Sequence, residues 1–190
     1  MIRWIILSLF LPSVAIAEWR LDPDNSSVSF VSVKNAQVAE AHAFTSLEGT
    51  VTDQGVATVR ITLDSVETMV PIRNERMREM LFETGVFPNA TFESRVPLDS
   101  ITGLAAGETA RIDLDGTLSV HGNSATLSIP VIVTNTGNGS YQVNTVKPVI
   151  VSAEKFDLVA GIEKLREVAG LDSIAPSVPV SFSLQFDSAK

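Results

Sequence analysis

Ile112, Leu114, Gly116, Leu118 and Val120 alternate residue by residue with Arg111, Asp113, Asp115, Thr117 and Ser119. The same period of two runs through Ala57, Val59, Ile61 and Leu63, set against Thr58, Arg60, Thr62 and Asp64. Leu127, Ile129, Val131 and Val133 repeat it, and so do Val178, Val180, Phe182, Leu184 and Phe186. Successive side chains of a strand point to opposite faces, so this alternation buries one face and wets the other. It describes antiparallel sheet rather than parallel strands covered by helices on both sides.

Turn chemistry separates the runs. Asp53-Gln54-Gly55, His121-Gly122-Asn123 and Thr136-Gly137-Asn138-Gly139 supply residues that tolerate positive φ between strands. Weaker apolar runs over residues 28–33, 38–44, 90–96 and 141–151 bring the expected number of strands to about eight, which fits a barrel or a sandwich. Pro130 and Pro179 each forbid one ladder bond and so mark an edge or a bulge. Two segments change period. Met77, Met80 and Leu81 predict an amphipathic helix over 72–82; Ile162, Leu165, Val168 and Ala169 predict another over 159–169, stopped by Gly170. Without a repeat, a low-complexity tract or a linker, the expectation is one domain over 18–190.

The start of the chain follows a different logic. Arg3, an apolar run over 4–11, a break at Pro12-Ser13 and the small residues Ala15-Ile16-Ala17 form the three-part pattern of a removable secretion signal over residues 1–17. A membrane anchor would need about 20 apolar residues. No cysteine follows, which excludes a lipoprotein anchor, disulfides and thiolate metal sites. The mature chain is therefore expected in an exported compartment with no stable membrane insertion. The full chain has 14 Lys and Arg against 22 Asp and Glu, a net charge of −8, and the leader carries one base and no acid. An acidic surface of this kind is a poor partner for nucleic acid.

Little in the chain points to catalysis. Its two histidines, His42 and His121, lack metal-ligand spacing, and neither a nucleophile elbow nor a phosphate-cradling glycine loop is present. Asp113 and Asp115 share a strand face, but it is the solvated one, where a paired-carboxylate role lacks the shielding it needs. His121 falls on the solvent side at a turn and reads as a surface residue. Asn25, Asn89 and Asn138 begin short sequons that matter only in a glycosylating pathway. No catalytic residue, cofactor or metal is assigned. In a closed barrel the inward set includes small residues, namely Ala57, Val59, Gly116, Val120, Val131 and Val143. Such a barrel is either filled by its own side chains or hollow enough for one small ligand. Arg73, Arg76 and Arg78 would either receive an anionic head group at a pocket mouth or pair with Glu75 and Glu79 along their own helix.

Four segments in order resemble the YceI-like proteins. They are Glu18-Trp19-Arg20-Leu21-Asp22 with Ser26-Ser27-Val28-Ser29-Phe30, then Leu63-Asp64-Ser65-Val66-Glu67-Thr68, then Phe87-Pro88-Asn89-Ala90-Thr91-Phe92-Glu93-Ser94, and finally Gly116-Thr117-Leu118-Ser119-Val120-His121-Gly122. The chain departs from that pattern at Ala43-Phe44, at Glu154-Lys155-Phe156-Asp157-Leu158, and in a longer helix through Gly170. The resemblance implies an all-β fold, an antiparallel lipocalin-like barrel of about eight strands with two short amphipathic helices. It also implies export to the bacterial periplasm and a non-enzymatic role, holding a polyisoprenoid or quinone-type lipid in an apolar lumen. On that reading Phe30, Phe44, Phe82, Phe87, Phe92 and Phe156 are the candidate lining residues and Arg76 the candidate head-group contact. The alternatives are a structural or interaction module that uses the barrel exterior, and an enzyme built around His121 or Asp115; a homodimer is left open beside a monomer.

Overall fold

The computed structural model describes residues 17–189. The leader assigned to residues 1–17 lies, except for Ala17 at the start of the first strand, outside the described residues. Eleven strands form one sheet that closes on itself: β1 (Ala17–Lys34), β2 (Val38–Phe44), β3 (Leu47–Thr52), β4 (Val56–Thr62), β5 (Val66–Glu67), β6 (Asn89–Arg95), β7 (Thr109–Val120), β8 (Asn123–Gly137), β9 (Ser140–Thr145), β10 (Val149–Ser152) and β11 (Ser177–Ser188). Neighbours run antiparallel, and β11 pairs with β1 from Trp19↔Ser188 to Phe30↔Val180 to shut the wall. The two helices fall where the change of period predicts them. Pro71–Arg76 is α1, prolonged by a π-turn over Met77–Leu81, and Val159–Val168 is α2, followed by Gly170 at φ 63°.

Eleven strands make an eight-stranded barrel because β2 and β3 are successive parts of one wall strand, as are β9 and β10, and β5 only caps the edge of β2. The first interruption, at Thr45 and Ser46, leaves backbone donors that the sheet does not satisfy. Ser65 satisfies them, its Oγ accepting from Thr45 N at 3.2 Å and from Ser46 N at 3.0 Å. The second interruption ends at Pro148, which has no N–H to offer, while Val146 N donates to Pro130 O at 3.0 Å. Pro130 stands where β8 loses its partner β9, and Pro179 stands one residue beyond the last β1–β11 pair. Each proline thus sits where a ladder ends on one side.

These interruptions divide the barrel along its axis. At one end, formed by the 53–55 and 137–139 turns and the 96–108 loop, all eight wall strands are hydrogen-bonded in a ring. At the other, β2, β1, β11 and β10 stay together and so do β4, β6, β7 and β8, but no ladder joins β2 to β4 or β10 to β8. The gap is packed with side chains. Phe30, Leu63, Val66, Met77, Leu81, Phe82, Ala153, Phe156 and Ile162 form a buried cluster that the α1 segment, α2 and the 3-10 turn Ala153–Phe156 hold in place. A second cluster, around Val28, Leu114, Ile129, Val133, Leu184 and Phe186, belongs to the ringed end.

Candidate functional site

The inward positions of the ringed end surround a cavity instead of meeting one another. About 140 Å³ admits the centre of a water-sized sphere, and the free space between the lining atoms, counted out to the mouth, is about 1110 Å³. The 140 Å³ is close to the roughly 150 Å³ of an apolar cavity that stays dry and takes up a small hydrocarbon. Every wall strand contributes lining, for example Val28, Val51, Val59, Phe92, Leu114, Ile129, Val143, Val151 and Leu184. No polar surface faces inward. Two polar side chains of the lining, Trp19 and Ser94, are bonded to backbone carbonyls. Trp19 Nε1 donates to Gly139 O at 2.8 Å, and Ser94 Oγ donates to Asp115 O at 2.8 Å. With nothing to bond a water molecule, such a cavity favours hydrocarbon over solvent.

The 96–108 loop covers the ringed end with Val96, Leu98, Ile101 and Leu104, which pack on the core cluster. It is tied down by Gly107 N donating to Asn135 O at 2.8 Å, and by Asn135 Nδ2 donating to Leu104 O at 2.7 Å. The floor of the cavity is Ile61, Leu118, Val151 and Val180, which also pack against the buried cluster of the splayed end.

Of the six phenylalanines expected as lining, Phe92 faces the cavity. Phe30, Phe82 and Phe156 belong to the buried cluster of the splayed end, and Phe44 packs against both clusters, with ring centroids 5.3 Å from Phe30 and 5.9 Å from Phe82. Phe87 is on the outside, half-buried, its ring 4.4 Å from His121. Arg76 is away from the lumen, with Nη1 donating to Val168 O at 3.4 Å.

The three arginines diverge, and they pair with neither of the glutamates of their own helix. Arg73 meets Glu40 at 2.8 Å and Arg78 lies 3.7 Å from Asp64. Glu40 also receives Lys34 at 2.8 Å, and the bond from Lys34, together with the Arg73 charge, holds its carboxyl below the usual range. Asp113 and Asp115 are exposed, as their side of the strand requires, and His121 is held at its turn by Glu83, 3.1 Å away.

Among the small inward residues, Ala57, Val59 and Val143 line the cavity. Gly116 adds no room, because the Phe92 ring occupies the place of its missing side chain. A Cβ there would fall 2.5 Å from Phe92 Cζ and would also clash with Glu93 O. Val131 is fully buried in the wall and Val120 packs on the splayed-end cluster. The lining outside the six expected phenylalanines, such as Ile112, Leu127, Phe182 and Phe186, follows from the period of two: these are the apolar members of the alternating runs.

Among the described residues no helix is long and apolar enough to cross a membrane, and no group of three or more acidic or histidine side chains converges on a metal position. Against known proteins, the YceI-like domain profile matches residues 19–186. A polyisoprenoid binding domain from Saccharophagus degradans, implicated in plant cell wall breakdown, superposes with a TM-score of 0.89 at 36% identity, covering 91% of this chain and 99% of that one. Burkholderia cenocepacia BcnA shares the fold at a TM-score of 0.67 and 23% identity, covering 87% of this chain and 98% of that one. A Campylobacter jejuni YCEI protein shares it at 0.57 and 12%, over 83% and 90% of the two chains. No curated protein sequence matches the chain significantly. An eight-stranded antiparallel barrel with an apolar lumen, matched to the family over nearly its whole described length, identifies the chain as a member of the YceI-like domain family.

Proposed function

We propose that this chain is an exported, periplasmic lipid-binding protein, not an enzyme, that sequesters or carries a polyisoprenoid or quinone-type lipid in the barrel lumen. The observation that carries the reading is a cavity inside the barrel to which every wall strand contributes and on which no polar surface opens. Each CH₂ moved from water into it contributes about 0.8 kcal/mol, so a long hydrocarbon chain is held by length alone. The likeness to the polyisoprenoid binding domain, at 36% identity, supports the chain type of the ligand. Export is supported by the three-part pattern of residues 1–17.

Trp19 offers the test. The chain has two tryptophans, and Trp4 falls in the leader, so after cleavage the remaining indole is one that lines the lumen. Titrating residues 18–190 with a long-chain prenylquinone is expected to quench Trp19 fluorescence saturably, with one lipid per chain. The same quinone ring without its tail should leave the emission unchanged. Absence of saturable quenching by any long-chain prenyl lipid would contradict the proposal.

A further inference from the structure

The inward face of the β1–β2 ladder changes character along the barrel axis. Val28↔Phe44 comes first and its Val28 lines the lumen; Phe30↔His42 follows, then Ser32↔Glu40, with Lys34 at the end. Hydrocarbon thus gives way to aromatic rings and then to ionised groups within a few rungs. His42 is 5% exposed, tilted against Phe30 at 5.1 Å, with Nε2 bonded to Ser32 Oγ at 2.8 Å. Its Nδ1 is buried and has no partner. The same holds for Arg73 Nε, on the side chain that bonds Glu40 and donates from Nη2 to Thr68 O at 2.6 Å. Only four buried side-chain nitrogens or oxygens lack a hydrogen bond among the described residues, and two of them belong to this one group. A buried polar atom left unpaired is destabilising, so a chain that keeps two together has a use for them or a partner absent from the bare protein.

Building on the lipid-binding reading, we infer that His42 and Arg73 form the subsite for the polar head of the bound lipid, with the tail lying in the lumen. What both nitrogens offer is a hydrogen bond to an acceptor oxygen: Arg73 Nε is always a donor, and His42 Nδ1 is one when Ser32 donates to Nε2. A prenylquinone carbonyl and a prenyl diphosphate both carry such an oxygen. Lys34 and Arg73 each meet Glu40 at 2.8 Å, two cations against one carboxylate, so the charge beside these donors favours an acceptor oxygen of either kind. Ring contacts run from His42 to Phe30, from Phe30 to Phe44 and from Phe44 to Phe82, and Phe44 also packs against the cluster around the lumen, so aromatic surface leads from His42 toward the hydrocarbon lining. Within the lumen itself no polar surface competes for the head. At the opposite end, Trp19 and Asn135 already spend their donors on Gly139 O and Leu104 O.

The experiment compares three probes of equal chain length, a prenylquinone, a prenyl diphosphate and a headless polyprene, on the unsubstituted chain and on His42→Phe and Arg73→Met. His42→Phe keeps an aromatic ring and removes both nitrogens. Loss of one such bond is expected to weaken the prenylquinone about tenfold in each variant, with the headless polyprene unchanged. Equal prenylquinone affinity in all three proteins would overturn the subsite while leaving lumen binding intact. Failure of all three probes to bind the unsubstituted chain would overturn both readings. The diphosphate, which carries the same acceptor oxygen, is expected to weaken likewise; a matching loss for the headless polyprene would overturn the subsite. A measurement on the unsubstituted chain covers the case in which a variant does not fold: the ¹⁵N resonance of His42 Nδ1 should move when prenylquinone is added and stay put with the headless polyprene. An unmoved resonance on prenylquinone loading would also overturn the subsite.

Discussion

Val28 and Phe30 lie two residues apart on the same face of β1 and end in different surroundings. Val28 borders the open lumen, while Phe30 is packed among Phe82, Phe156 and the helices that fill the splayed end. The comparison separates two uses of apolar side chains within one sheet. Where all eight strands remain hydrogen-bonded in a ring, the wall supports itself and its inward side chains can stop short of one another. Where β2 parts from β4 and β10 from β8, no ladder joins the neighbouring wall strands, and the packed interior holds the two sheets together. One half is hollow and the other is filled.

Truncation should separate the halves most strongly. Phe156 is 1% exposed at the centre of the filled end, and Phe156→Ala is expected to cost about 3–5 kcal/mol, lowering the melting temperature by about 10 °C. Phe182→Ala removes the same atoms from a residue that already borders free space, so calorimetry should show less than half that loss. Equal losses at the two positions would erase the distinction between the halves.

Filling the hollow half should produce the opposite pattern. Ala57 lines the lumen, and Ala57→Phe places a ring in space the lipid needs. Lipid uptake is expected to fall by more than tenfold while stability shifts by about 1 kcal/mol or less, since there is room for the ring and apolar area to bury. Retained uptake would show that Ala57 does not border the bound chain.

A smaller effect distinguishes the halves by pH. Burial, reinforced by the Arg73 and Lys34 charges and opposed by Glu40, holds the His42 imidazole below its usual 6.5. The unfolded chain therefore takes up a proton on this histidine before the folded one does. Stability is complete above pH 6.5 and falls as the pH drops below it toward the depressed folded value. Denaturation curves from pH 7.5 down to 5 should show this loss, and His42→Phe should flatten it. A slope that survives in His42→Phe would place its source elsewhere.

The ringed half was the more legible in sequence, and the reason is geometric. Runs such as Ile112 to Val120 and Val178 to Phe186 declare their inward members by period alone, and the turns at Gly55, Gly122 and Gly139 adopt the positive φ that their residue types suggest. What period cannot convey is how far along the axis each inward residue lies. Phe30, Phe44, Phe82 and Phe156 have the same hydrophobicity as lining residues, and only the breaks at Thr45-Ser46 and Pro148 send them to the filled end. Gly116 reads as open space until the register of β6 against β7 places Phe92 over it. His42 gives no local sign at all, because Ser32 reaches it through the β1–β2 register and Arg73 comes from a helix thirty residues on.

The central claim, that the ringed half encloses a lipid chain, is tested most directly by native mass spectrometry of residues 18–190, exported and purified gently, followed by organic extraction. A discrete mass shift matching one polyprenyl or quinone-type lipid per chain, lost in Ala57→Phe, is the expected result. A bare protein mass that persists after incubation with long-chain isoprenoids would contradict it.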